Sequence, residues 1–113
     1  PYERAFADGC DRVVVILTRP KDYRRTLGRR AKAYGVIRRS YPATYETLMR
    51  RHVLYNTQLD ALVERYEPEG RALIVAPDSV LGMDTLTRDL QKLRALYNKG
   101  YLDGSAIRDF LEK

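Results

Sequence analysis

The sequence predicts an α/β fold in which two buried strands are flanked by helices. Two runs of branched apolar residues, at 12–17 and 71–76, lack alternation of polar and apolar side chains, which is typical of strands covered on both faces. The segment between these runs has mostly helical periodicity, so we expect two parallel neighbouring strands joined by a long crossover. A chain of 113 residues suits one domain, and we predict a single segment, 1–113, with no internal boundary.

Start or stop signals mark two of the helices predicted in the first two-thirds of the chain. Residues 2–8 form a short helix, which Gly9 ends in a left-handed conformation. The longest helix begins at Pro42, since proline suits a first helical turn, and ends near Glu67. Its inward side is marked by residues that recur at steps of three and four: Tyr45, Leu48, Met49, His52, Tyr55, Leu59, Leu62, Val63 and Tyr66.

The basic segment 24–39 and the C-terminal region show similar periodicity. Segment 24–39 is predicted to be helical, a loop is expected at 77–83, and two helices follow, the first ended by Gly100 and the second capped by Asp103. The predicted inward residues are Leu27, Ala31, Tyr34 and Ile37 in the basic segment, Leu86, Leu90, Leu93, Leu96 and Tyr97 in the next helix, and Ile107, Phe110 and Leu111 in the last.

The positive charge of the chain is concentrated in residues 19–39. The formal net charge is +6, and this stretch holds nine basic residues against one acid, Asp22. Such a stretch is compatible with a solvated cationic face, with contact to anionic lipid, or with contact to nucleic acid, which we rank in that order because no nucleic-acid motif accompanies it. The contact residues we select are Arg24, Arg25, Arg29 and Arg30; the full set is Arg19, Lys21, Arg24, Arg25, Arg29, Arg30, Lys32, Arg38 and Arg39.

The composition excludes several kinds of site and location. One histidine and one cysteine cannot build a four-ligand structural zinc site or an internal disulfide framework, and we predict no metal and no cofactor. No apolar run is long enough to cross a bilayer, and no secretory leader pattern opens the chain. We therefore expect a cytoplasmic location, with peripheral contact to a membrane.

Three side chains are candidates for chemistry, and each has a simpler interpretation. Ser79 follows the second predicted strand, but the chain has no Gly-x-Ser-x-Gly turn, so we interpret it as a turn residue. His52 lies on the inward side of the longest helix and is expected to be a partly buried, hydrogen-bonded ring. Cys10, at a helix–strand junction, is expected to be small, buried and unreactive. We predict no catalytic residue in this chain.

Five ordered stretches of the sequence resemble the C-terminal third of bacterial patatin-like phospholipases. They are ADGCDRVVVILTRP at 7–20, YP at 41–42, RHVLYNTQLD at 51–60, ALIVAPDS at 72–79 and LQKLRALYNKGYLDG at 90–104. The order of the set is more specific than any single piece. The resemblance covers nearly the whole chain.

This resemblance implies a fragment of a three-layer α/β/α sheet domain from an enzyme that hydrolyses lipid esters. Family members use a serine in Gly-x-Ser-x-Gly and an aspartate in Asp-Gly-Gly or Asp-Gly-Ala, and both motifs would lie upstream of Pro1. Asp8-Gly9-Cys10 and Asp103-Gly104-Ser105 depart from the aspartate motif at the third residue, so no catalytic role is carried over to them. The expected partner is the remainder of the parent catalytic domain, without which this chain should be inactive.

A different class of function stays open beside this one. The chain could instead be a non-enzymatic basic module that binds anionic membrane or RNA through residues 19–39.

The two predicted strands do not by themselves complete a covered sheet. Missing strands on another segment, or a homo-oligomer formed through exposed strand edges, are therefore further expectations about partners.

Overall fold

The computed structural model describes residues 1–113 and confirms the general α/β class. It has two strands, four α-helices, one 3-10 helix and one π-helical turn, in this order: α1 Tyr2–Ala7, β1 Val13–Ile16, the 3-10 helix Arg29–Ile37, α2 Pro42–Ala61, the π-helical turn Leu62–Tyr66, β2 Ala72–Val75, α3 Leu90–Asp103 and α4 Ala106–Glu112.

The chain divides into two compact units. The strand unit comprises Pro1–Tyr23 and Leu62–Lys113, and the helical unit comprises Arg24–Ala61. The prediction of one segment without an internal boundary stays a prediction. None of the helices combines the length and the apolar composition that a membrane-spanning segment needs.

The sheet consists of β1 and β2, which pair in parallel with Val13 opposite Ala72. The N–H of Val13 donates to the carbonyl of Arg71 at 2.9 Å at one end of the ladder. The prediction of parallel neighbours is therefore confirmed. The prediction that both strands are covered on both faces is wrong for β1, because Ile16 at its end is 68% exposed.

An aromatic cluster lies at the start of the strand unit. Tyr2 of α1 is buried, and its ring meets that of Tyr66 edge-on at 5.6 Å between centroids, while Phe6 stacks on Tyr66 at 4.9 Å. The guanidinium of Arg71 lies 4.5 Å from the Phe6 centroid. Gly9 has φ +96°, a left-handed conformation that confirms its predicted role in ending α1. This cluster holds α1 against the π-helical turn and the residue that precedes β2.

The longest helix follows its predicted face closely. All nine predicted inward residues are buried or half-buried, whereas Val53 and Leu54, off that face, are exposed. The N–H of Glu67 donates to the carbonyl of Leu62 at 2.9 Å, five residues back, which is the bond that defines a π-helical turn. The predicted end near Glu67 is confirmed.

The basic segment is helical over only part of its predicted length. Helical structure covers Arg29–Ile37 and is of the 3-10 type, preceded by Gly28 at φ +67°. Ala31, Tyr34 and Ile37 are half-buried at steps of three, as a helix of three residues per turn requires. The prediction of helix from residue 24, with Leu27 inward, is wrong, since residues 24–28 are irregular and Leu27 is exposed.

The two C-terminal helices exist, but their predicted boundaries are wrong. The carboxylate of Asp89 caps α3 by accepting the N–H of Gln91 at 3.0 Å, so the helix begins after Leu86. It passes through Gly100 and ends at Asp103, which therefore does not cap α4. Glycine inside a helix costs only about 1 kcal/mol relative to alanine, which is too little to end α3.

Candidate functional site

The first part of the basic stretch lies in the strand unit, where its cations have local partners. The guanidinium of Arg19 lies 5.4 Å from the ring centroid of Tyr23. The ammonium of Lys21 forms an ion pair with Glu67. A cation that is held by a ring or a carboxylate is less available to an external anion. These two residues therefore contribute to the structure of the unit.

In the helical unit, two of the four predicted contact arginines are held by α2. The guanidinium of Arg24 donates to Asp60 at 2.7 Å. The side-chain amide of Asn56 clamps the backbone of Arg25, accepting its N–H at 2.8 Å and donating to its carbonyl at 2.9 Å. The clamp satisfies both backbone groups of a residue that lies outside any helix or strand. Arg24 and Arg25 thus position the irregular segment before the 3-10 helix.

The other two predicted arginines lie on the 3-10 helix with exposed side chains. Arg29 and Arg30 form no ion pair, and neither do the exposed Lys32 and Arg39. We call Arg29, Arg30, Lys32 and Arg39 the exposed cationic group. The structure thus separates the predicted set into one anchored pair and one solvated pair. Contact of either pair with an anion stays a prediction.

A cavity that sequence reasoning did not identify lies at the carboxyl ends of β1 and β2. It has a volume of about 240 Å³, which is slightly smaller than a typical small-molecule pocket. Open α/β sheets place their ligands at this end of the strands. We call it the strand-end cavity. Its apolar lining includes Ile16, Leu17, Val75, Pro77, Leu96 and Ile107, and its polar lining includes Thr18 and Asp103.

An ion pair lies beside the strand-end cavity. Asp78 follows Pro77 of the cavity lining, and its carboxylate is paired with the ammonium of Lys99, the residue before Gly100 of the same lining. The hydrogen bond from Lys99 lowers the pKa of the Asp78 carboxyl below its ordinary value. The same bond raises the pKa of Lys99, with a further contribution from the charge of Asp103. Both groups are therefore held in their charged forms at neutral pH.

Ser79 is a turn residue, as predicted. Its hydroxyl accepts the N–H of Leu81 at 3.0 Å, which is the hydrogen bond of a serine turn. Leu81 is the one residue other than glycine with a positive φ, +55°. The hydroxyl therefore stabilises a strained loop directly after β2.

His52 and Cys10 differ from their predicted surroundings. The ring of His52 is half-buried, as expected, but its Nδ1 is buried without a hydrogen-bond partner in the protein, so the expectation of a hydrogen-bonded ring is wrong at that atom. Cys10 is exposed, and the prediction of a buried thiol is wrong. Its N–H donates to the carbonyl of Ala5 at 3.0 Å, so the turn after α1 holds the backbone of Cys10 while the residue stays exposed.

Comparison with known proteins assigns a family to most of this structure. A family model described as a domain of unknown function, DUF6363, matches residues 41–113. No curated protein and no solved structure matches the chain. The matched range contains α2, β2, α3 and α4, together with one side of the strand-end cavity. The basic stretch 19–39 and β1 lie outside it.

Proposed function

The chain belongs to the DUF6363 family, and we propose that it is the C-terminal structural part of a patatin-like serine acyl hydrolase. In this proposal the full-length parent hydrolyses lipid esters with a serine–aspartate dyad that lies upstream of Pro1. The serine attacks the ester carbonyl while the aspartate accepts its proton. The chain described here supplies distal strands and flanking helices of the three-layer sheet and has no hydrolytic activity by itself.

The incomplete sheet is the observation that carries this proposal. Parallel strands are normally buried between helices in sheets of more than two members. Here β1 and β2 form a parallel pair alone, and Ile16 at the end of β1 is largely exposed. A parallel pair in which one strand is partly exposed is expected if these strands belong to a larger sheet, and this supports the proposal.

The strand-end cavity supports a position for this part of the sheet beside the ester-binding region of the proposed enzyme. Its walls are formed by the carboxyl ends of both strands and by Leu96 of α3 and Ile107 of α4. The proposed acyl hydrolase would carry its ester-binding region at this end of the sheet. The two helices would then flank that region, and their apolar side chains would keep water from the acyl chain.

An ester-hydrolysis assay tests the inactivity of the isolated chain. With a chromogenic short acyl ester, we expect no turnover above that of buffer. Ser79→Ala and His52→Ala serve as matched variants, since they remove the only serine after a strand and the only histidine. Turnover that persists through purification and disappears in either variant would show that this chain is itself an enzyme. Glycine-rich, serine-elbow and aspartate motifs in the reading frame before Pro1 would support the proposed class.

The exposed cationic group favours a second candidate function, in which a basic module binds anionic membrane or RNA. Arg29 and Arg30 project from the 3-10 helix without carboxylate partners, so they could approach phosphate groups without breaking an internal ion pair. Anionic lipid is the better match, because nucleic-acid motifs are absent from the sequence. The same face could orient a lipid hydrolase at its substrate membrane.

Vesicle sedimentation at low and physiological salt tests this second function. Binding to phosphatidylserine vesicles should exceed binding to phosphatidylcholine vesicles and should weaken with salt. Arg29→Glu with Arg30→Glu should abolish it. The matched control is Arg50→Glu with Arg51→Glu, an equal charge change at exposed positions of α2. Equal binding to both vesicle types, or equal loss in both double variants, would contradict a specific role for the 3-10 helix.

A further inference from the structure

The two free edges of the sheet differ in whether another strand can reach them. The N–H groups of Val13 and Leu17 donate to the carbonyls of Arg71 and Val75 on the β2 side, and backbone groups alternate in direction along a strand. The N–H and C=O groups of Val14 and Ile16 therefore point away from β2, and no other group of the chain bonds to them. By the same register, Ala72 and Ile74 carry the outward-pointing groups of β2.

The outer edge of β2 is covered. Ala72 is 3% exposed and Ile74 is 9% exposed, and α4 packs against this strand. Little of the backbone or side chain of these two residues is therefore accessible to an incoming strand. The outer edge of β2 is thus closed to pairing without rearrangement.

The outer edge of β1 is less covered than that of β2, although α1 packs against β1. Val13, Val14 and Val15 are half-buried, and Ile16 is 68% exposed. A groove of about 410 Å³ is lined by all four residues of β1 and by Tyr2 and Ala5 of α1. The strand is Val-Val-Val-Ile, and it has none of the charged residues, prolines or bulges that protect natural edge strands from pairing. An uncharged, branched edge with free backbone groups and an adjacent apolar groove matches one kind of occupant, an extended strand with apolar side chains on the groove side.

We propose that the outer edge of β1, and not that of β2, pairs with the adjoining strand of the parent enzyme's sheet. This inference rests on the proposed function, because that function supplies the parent and its upstream strands. It adds the position of the junction: the backbone groups of Val14 and Ile16 form the hydrogen bonds, and the groove beside Tyr2 and Ala5 receives the alternate side chains. β2 is then the outer strand on this side of the sheet.

Amide hydrogen exchange, resolved by residue with NMR, tests the junction. The chain described here is compared with the full-length parent that is encoded when the reading frame is extended upstream. The Val14 and Ile16 amides should exchange at least ~100-fold more slowly in the parent, while those of Ala72 and Ile74 should change little. Absence of this protection, protection at Ala72 and Ile74 instead, or a frame that adds no strand would overturn the inference. Concentration-dependent protection of Val14 in the isolated chain would also overturn it, since a second copy would then be the occupant.

A pair of lysine variants gives a second measurement. Ile16→Lys places a charge on the edge, and Val53→Lys does so at a similarly exposed position of α2, 55% against 68% exposed. In the parent, Ile16→Lys should lower the melting temperature by several degrees and Val53→Lys should not, while both should be neutral in the isolated chain. Equal effects of both variants in the parent would contradict the junction. If the amides of the β1 edge are protected in the parent but the parent does not hydrolyse esters, the proposed junction stands and only the proposed function is refuted.

Discussion

The helices α2 and α3 have the same kind of apolar spacing but different surroundings. In α2, every predicted inward residue is at least half-buried, and the 3-10 helix packs against it within the helical unit. In α3, the side chains of Leu90, Tyr97 and Tyr101 share one side of the helix and are all largely exposed. The comparison shows that the spacing of apolar residues specifies a helix and its apolar side. Whether that side is buried depends on whether another segment of the chain, or another molecule, packs against it.

The largest difference between the two helices should appear on truncation of one leucine in each. Leu59 of α2 is 3% exposed and Leu90 of α3 is 79% exposed. Leu59→Ala should lower the free energy of unfolding by about 2–5 kcal/mol. Leu90→Ala should change it by less than about 0.5 kcal/mol. Urea unfolding followed by circular dichroism measures both, and a similar loss in the two variants would show that the apolar side of α3 is covered in solution.

The amide clamp on the 3-10 side of α2 should give the next largest effect. Asn56→Ala leaves the backbone N–H and C=O of Arg25 without their partner, in a part-buried place, and the expected cost is about 1–3 kcal/mol. Thr57→Ala is the control, because Thr57 is the exposed neighbour on the same helix. If both variants have the same urea midpoint as the unmodified protein, the clamp does not hold the segment before the 3-10 helix.

Because α3 has little cover, its stability should depend on its own first turn. Asp89 accepts the N–H groups of Gln91 and Lys92 at 3.0 and 3.2 Å, whereas Ser105 at the start of α4 makes no such side-chain bond. Asp89→Ala should cost about 1 kcal/mol and increase amide exchange in the first turn of α3. Ser105→Ala should have little effect on α4. Equal exchange in the two variants would contradict a capping role for Asp89.

The features that the sequence predicts correctly are those encoded by neighbouring residues. They are the branched run of β1, the apolar face shared by α2 and the π-helical turn, and the turn at Ser79. The sequence could not predict the exposure of Cys10 or of the α3 side chains, because exposure depends on which distant segments pack there. Tertiary contacts also form the strand-end cavity and the ion pair between Asp78 and Lys99. The only indication of either feature in the local sequence is that Asp78 comes shortly after a predicted strand.

The smallest expected effect concerns the ion pair through which α3 reaches the loop after β2. Lys99 lowers the pKa of the Asp78 carboxyl, so this pair contributes stability above the ordinary pKa of aspartate and loses it as the pH falls through the lowered value. A carboxyl carbon NMR titration should give the Asp78 carboxyl a midpoint below the ordinary pKa of aspartate. Lys99→Gln should raise that midpoint, and Lys92→Gln, an exposed lysine on the same helix, should not. If the Asp78 midpoint is ordinary in the unmodified protein, the ion pair does not hold α3 in solution. The apolar contacts on the side of α3 that carries Leu96 would then be what remains, and α3 would be even less covered than α2.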